Sequence, residues 1–243
     1  MRITAHWLMG ERMKRLAMTA IGGGVLAFGL LTVAGGVAAV DMLTVPTPPA
    51  VQTERGGAHP YSFISTIPAQ GGGEAPTRWI ACDGLTLLVA RNGMPANGKE
   101  AVRQAAAEIS ELTGVPVTVQ YADTVPAAAA ENTIFLQWKA MPSKTNKLEG
   151  CDDAETIACT ETVTAGFGSG QHIYGANITV YDDELDSGVL HSTLLHELGH
   201  AFGLNHVDSH SELMYPEIAG QAHLGKGDRD ALRIAGQFTC PRR

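Results

Sequence analysis

The period of the apolar positions changes repeatedly along this chain, and each change marks an element. Leu16 to Val40 (LAMTAIGGGVLAFGLLTVAGGVAAV) is apolar throughout and carries no charge. As a helix it would reach roughly 37 Å, enough to cross a hydrocarbon core of ~30 Å. Residues 41–75 then lose all periodicity and gather Pro46, Pro48, Pro49 and two glycine clusters, the composition of a tether. Tyr61, Phe63, Ile64 and Ile67 stand out within it as residues that could dock. From Pro76 the pattern is that of a folded domain. RWIACDGLTLLVA predicts one or two strands, and VPVTVQYA and NTIFLQWKA one strand each. Between them, Val102, Ala105, Ala106, Ile109 and Leu112 form one helical stripe over Glu100–Thr113, which Gly114 ends. Residues 140–170 read as a long excursion, and GANITVYDDEL as a strand ending in acidic residues. Two helices close the chain, one from about Ser187 to Leu204 and one starting near Asp228. This order predicts an α+β (mixed α/β) domain with one main sheet.

The domain organisation that follows is a basic N-terminus at 1–15, an apolar segment at 16–40, a linker at 41–75 and a folded domain at 76–243. Arg2, Arg12, Lys14 and Arg15 flank the apolar run, which places residues 41–243 outside the cytoplasm. The run is longer than a usual signal peptide yet has a small-residue cleavage site at Gly36-Val37-Ala38. An uncleaved single-pass anchor in the cell membrane and a removed signal peptide that leaves the protein secreted both stay open.

Composition narrows the function. With 44% hydrophobic and 17% charged residues in a 243-residue chain, wholesale disorder is excluded and a sizeable core is affordable. From Pro76 onward there are 12 Lys and Arg against 21 Asp and Glu, a balance of −9, which disfavours nucleic acid as a partner. Four cysteines, Cys82, Cys151, Cys159 and Cys240, all follow the apolar run. Their even number in an oxidising compartment suggests two disulfides. Of three possible pairings we favour Cys151–Cys159 and Cys82–Cys240. Nothing in the sequence fixes the oligomeric state.

The chemistry concentrates in HELGHAFGLNH, residues 196–206. Positions four apart share a helix face, so His196 and His200 aim two imidazoles at one point, with Glu197 beside them. Gly203 can adopt the left-handed conformation that turns the chain and returns His206 as a third ligand. Three neutral nitrogens leave one position of a tetrahedral zinc open for water. The alternative is a buried helix with incidental histidines, for which Leu194, Leu195, Leu198, Ala201 and Phe202 supply a packing stripe. Three converging histidines and a glutamate have no role in such a core. Other histidines do not fit: His191 lies off the face, and His210 is out of spacing.

HELGHAFGLNH resembles the H-E-x-x-H-x-x-G-x-x-H zinc-binding sequence of the metzincin metallopeptidases. SELMYP follows, with Met214 in the place of that family's Met-turn, and its L-M-Y-P form is most similar to the matrixin branch (the peptidase M10 type). The resemblance implies a zincin-like domain with a twisted, mainly parallel sheet, an active-site helix and a C-terminal helix. It implies one catalytic zinc on His196, His200 and His206, with Glu197 as the general base and Met214 packed beneath the metal. It further implies a peptide or protein substrate lying extended along an edge strand, for which Gln171–Tyr174 is the candidate, with Tyr215–Ile218 walling the adjoining pocket. There are departures. Residues 41–75 hold no cysteine of the kind that keeps secreted animal matrixins inactive. His172 alone makes no second zinc site, and Asp182, Asp183 and Glu184 read as a solvated strand end, with calcium as the weaker alternative. The expected function is a zinc endopeptidase acting outside the cytoplasm. The rivals are a zinc hydrolase of another amide, such as cell-wall peptides, and a tethered zinc-binding domain without catalysis. Retention of Glu197 argues against the latter, since a structural site needs no base.

Overall fold

The computed structural model describes residues 60–69, 71–140, 157–181, 185–217 and 223–237. The apolar segment 16–40 and its basic flank lie outside these. Among the described residues no helix is long and apolar enough to cross a membrane.

Five strands make the main sheet: β3 (Leu85–Ala90), β4 (Val117–Ala122), β5 (Thr133–Trp138), β6 (Ala158–Ala165) and β7 (His172–Val180), in the order β4-β3-β5-β7-β6. A small antiparallel pair, β1 (Thr66–Pro68) and β2 (Glu74–Pro76), precedes it. The β3–β4, β3–β5 and β5–β7 pairings are parallel, and β6 alone runs antiparallel, beside β7. Parallel strands need crossovers, and α1 (Gly98–Thr113) supplies the one between β3 and β4. The expected stripe is the buried face of α1, with Ala101, Val102, Ala105, Ala106 and Ile109 inside, and Gly114 closes the helix. α1 packs against α2 (Ser187–Ala201), α2 lies against β6 and β7, and α3 (Lys226–Ala235) packs on α1. The fold is α+β, as the pattern predicts, and its sheet is mostly parallel, as the matrixin resemblance implies. Central strands are apolar almost throughout because both faces are covered: Ile134, Phe135 and Leu136 are consecutive and all buried.

α2 is the most enclosed helix. From Leu190 to Ala201 every residue but His191 is buried. The Asp186 carboxylate starts it by accepting from the N–H groups of Gly188 and Val189, each at 2.9 Å.

Two readings of the sequence change, and one that was open is filled in. Residues 158–165, within the supposed excursion, form the edge strand β6; the alternating β-branched residues of TETVT were its signal, obscured by the polar residues around them. Gln171–Tyr174 is not an edge. His172 and Ile173 pair with β6 on one side, while Ile173 also bridges Trp79 on the other, so that stretch has no free ladder and β6 takes the outer position. The tether is also structured towards its end. Phe63 bridges Leu204, and the backbone N–H of Ile64 donates to the Gly203 carbonyl at 2.9 Å.

Cys82 and Cys159 are both disulfide-bonded. Cys151 and Cys240, the partners expected for them, lie outside the described residues, as do Asp182, Asp183 and Glu184.

Leu87, fully buried at the centre of β3, reports on this core. Leu87→Ala should lower the unfolding free energy by about 2–5 kcal/mol in a urea titration; a loss under about 1 kcal/mol would mean that the strand is not packed as described.

Candidate metal centre

The first two histidines stand one turn apart on α2, as their spacing requires, and both are fully buried. Past Ala201 the helix stops. Gly203 has φ +89°, a conformation that costs a side chain of L configuration about 1 kcal/mol or more, and its N–H still bonds to the His200 carbonyl at 2.8 Å. The turn returns His206 to the same point. The Nε2 atoms of His196 and His200 lie 3.0 Å apart, those of His200 and His206 3.1 Å, and those of His196 and His206 3.2 Å. Among the described residues this is the cluster that could hold a metal ion.

The outer nitrogens decide what those inner ones carry. His196 Nδ1 lies 2.7 Å from the Leu213 carbonyl oxygen, and His200 Nδ1 lies 2.9 Å from that of Leu204. A carbonyl only accepts, so each Nδ1 carries the proton and donates it, leaving a bare lone pair on each Nε2. Lone pairs facing one another at this range repel unless a cation sits among them. Three nitrogens on a tetrahedral zinc with bonds of ~2.05 Å would be ~3.3 Å apart, close to the separations found. The residues fit the ion.

Glu197 is fully buried beside them. Its Oε2 accepts from Thr160 Oγ1 of β6 at 2.5 Å, and its Oε1 is buried with no hydrogen-bond partner among the described residues. An orphaned carboxylate oxygen is costly in a core and is expected where a water or substrate group is to be met.

The matrixin family (peptidase M10) matches residues 85–234, well over half of the chain. The chain belongs to the matrixin family. The histidine cluster is where the zinc that this membership implies could sit. Over 57 residues the chain is 42% identical to a provisional matrix metalloproteinase of Trichoplusia ni ascovirus 2c, covering 24% of this chain and 11% of that protein. Among solved structures, archaemetzincin from Methanopyrus kandleri is similar at TM-score 0.42 and 17% identity, over 63% of this chain and 96% of that one. The GM1-bound ECX AB5 holotoxin follows at TM-score 0.39 and 11% identity, over 68% of this chain and 84% of that one.

Several parts of this matrixin's centre were not read from the sequence. Met214 is buried, and a Cβ at Gly199 would stand 2.7 Å from its Sδ, so a glycine inside the motif lets the Met-turn approach the helix. What holds that turn is Asp228, in the first turn of α3. Its carboxylate accepts from the N–H groups of Leu213 at 2.5 Å, Met214 at 3.3 Å and Gly225 at 2.8 Å. Through the Leu213 carbonyl this support reaches His196. The bonds that run through Gly203 and Leu204 are braced from the other side, where Asn205 N–H donates to the Ser62 carbonyl at 2.8 Å and Trp79 Nε1 donates to the Ala201 carbonyl at 2.9 Å. Tyr215, next in the expected pocket wall, lies against His210 with ring centres 3.9 Å apart and the planes tilted by 39°. Asp208 is exposed.

Burial sets the electrostatics. It holds His196 down to about 3, helped by the neighbouring His206, and His206 down to about 4; His200 is held well below its ordinary value. Burial pushes Glu197 up to about 8, partly offset by the Thr160 hydroxyl. These shifts act on stability with opposite signs. The imidazoles are depressed, so protein stripped of zinc by a chelator loses stability as the pH falls from about 6.5 through 4 to 3. Glu197 is raised, so its contribution is full below 4.5 and is lost as the pH rises through about 8. Three imidazoles outweigh one carboxyl in the overlap. Urea titrations of the stripped protein should therefore find greatest stability near pH 6.5, with Glu197→Gln removing the decline from there to pH 8. Stability still rising from pH 6.5 to 8 in the unaltered protein would contradict these assignments.

Proposed function

We propose that this matrixin is a zinc-dependent endopeptidase working outside the cytoplasm, with Glu197 as its general base. The observation that carries the reading is the pairing of three convergent imidazole nitrogens with a buried glutamate oxygen that has no partner among the described residues. His196, His200 and His206 would hold the ion; bound there, zinc would acidify a water molecule and polarise the scissile carbonyl. Glu197 Oε1 accepts the proton of the attacking water and later delivers it to the nitrogen of the leaving amine. Two features support this role: α2 carries the Glu197 backbone, and the Thr160 hydroxyl occupies the other carboxylate oxygen. An extended peptide would add to the outer side of β6, which no described strand covers.

Location rests on the apolar run with its basic flank and on the oxidised state of Cys82 and Cys159. The pairings Cys82–Cys240 and Cys151–Cys159 belong to the same reading.

The test uses the 243-residue chain with a quenched peptide library, zinc being quantified in each sample. Glu197→Ala should keep the zinc and lose about 100-fold to 10,000-fold in kcat/KM. His206→Ala should lose the metal. Zinc in both the unaltered chain and Glu197→Ala, with no peptide cut by either, would overturn the endopeptidase reading and favour another amide as substrate.

A further inference from the structure

Thr160 lies on β6, buried, with its Oγ1 2.5 Å from Glu197 Oε2 and 3.1 Å from the Glu197 backbone oxygen. A hydroxyl has one proton to give. The shorter of the two contacts directs it to Oε2. The helix fixes the backbone of Glu197 but not the rotation of its carboxylate, which is broad about its last torsion. Among the described residues neither oxygen has another hydrogen-bond partner, so Thr160 is the side chain that distinguishes the two.

We infer that Thr160 is a positioning residue for the general base: its hydroxyl pins Glu197 Oε2 so that Oε1 is the atom presented to the reacting water. The inference rests on the endopeptidase reading for its effect on rate, but the hydrogen bond itself can be tested without any reaction. The role is that of an orienting partner in a nucleophile–base arrangement, supplied here from the sheet rather than from the helix that carries the base. Valine has nearly the shape of threonine and lacks the hydroxyl, whereas serine keeps the hydroxyl and loses the methyl group.

The experiment compares Thr160→Val and Thr160→Ser in the same chain. Thr160→Val should lower kcat by about 10-fold to 100-fold, with KM changed by less than about twofold, an interaction felt in the transition state and not in substrate binding. Zinc content and melting temperature should stay at the level of the unaltered protein. Thr160→Ser should restore kcat to within about threefold. A second readout needs no turnover: in protein labelled at the glutamate carboxyl carbons, the Glu197 resonance, identified by its loss in Glu197→Gln, should move in Thr160→Val and stay in place in Thr160→Ser. An unmoved resonance in Thr160→Val would overturn the inference, as would an unchanged kcat in an active enzyme. Equal losses of kcat, zinc and melting temperature in both variants would overturn it in favour of packing. If the unaltered protein binds zinc and cuts nothing, the endopeptidase reading fails, and the resonance alone decides whether Thr160 holds Glu197.

Discussion

Three imidazole nitrogens, two of them with bare lone pairs, are held within 3.2 Å of one another, and this constraint organises the rest of the molecule. Left alone it is unfavourable: neutral rings crowd one another, and burial denies them the protons that would let them bond to water. A divalent cation relieves the crowding at once. The protein maintains it by fixing the two buried rings through their other nitrogens, His196 to the Leu213 carbonyl and His200 to the Leu204 carbonyl. Each of those carbonyls belongs to a turn that something else must secure. That need explains the conformation at Gly203, the close fit of Met214 against Gly199, and the carboxylate of Asp228 beneath the Met-turn.

The support comes from both ends of the domain. Asp228 reaches the Met-turn from the last described helix, while Ser62, Phe63 and Ile64 reach the helix end from a stretch that precedes the main sheet. β6 adds the third side through Thr160. Metal ligands and base are thus close together in sequence, whereas the groups that orient them come from residues about 20 to 140 positions away. Outer partners of this kind set tautomer, ring orientation and ligand basicity, so the centre is a property of the whole fold and not of eleven residues.

That division decides what could be read beforehand. Local chemistry was legible: the four-residue spacing on α2, the glycine that turns the chain and the third histidine are short-range patterns with a fixed geometric meaning, while the methionine stood out only through the matrixin resemblance. The α+β class was legible for the same reason, since α1 shows its stripe and β5 its apolar run. β6 was not, because an edge strand needs one apolar side at most, and its polar alternation lies in a region rich in glycine and acidic residues. Taking the edge to be Gln171–Tyr174 followed from that omission: with β6 unseen, β7 was left outermost. Asp228, Thr160 and Ser62 carry no signal in one sequence, since an aspartate at a helix start or a threonine in a strand is ordinary until its partner is known.

The central claim is a three-imidazole face that leaves one position of the metal open. X-ray absorption at the zinc edge, on the 243-residue chain purified without added chelator, tests it most directly. The account predicts about one zinc per chain with three imidazole nitrogens and one further light atom at ~2.0 Å. A first shell containing sulfur, a fourth imidazole, or protein that retains no zinc would contradict it.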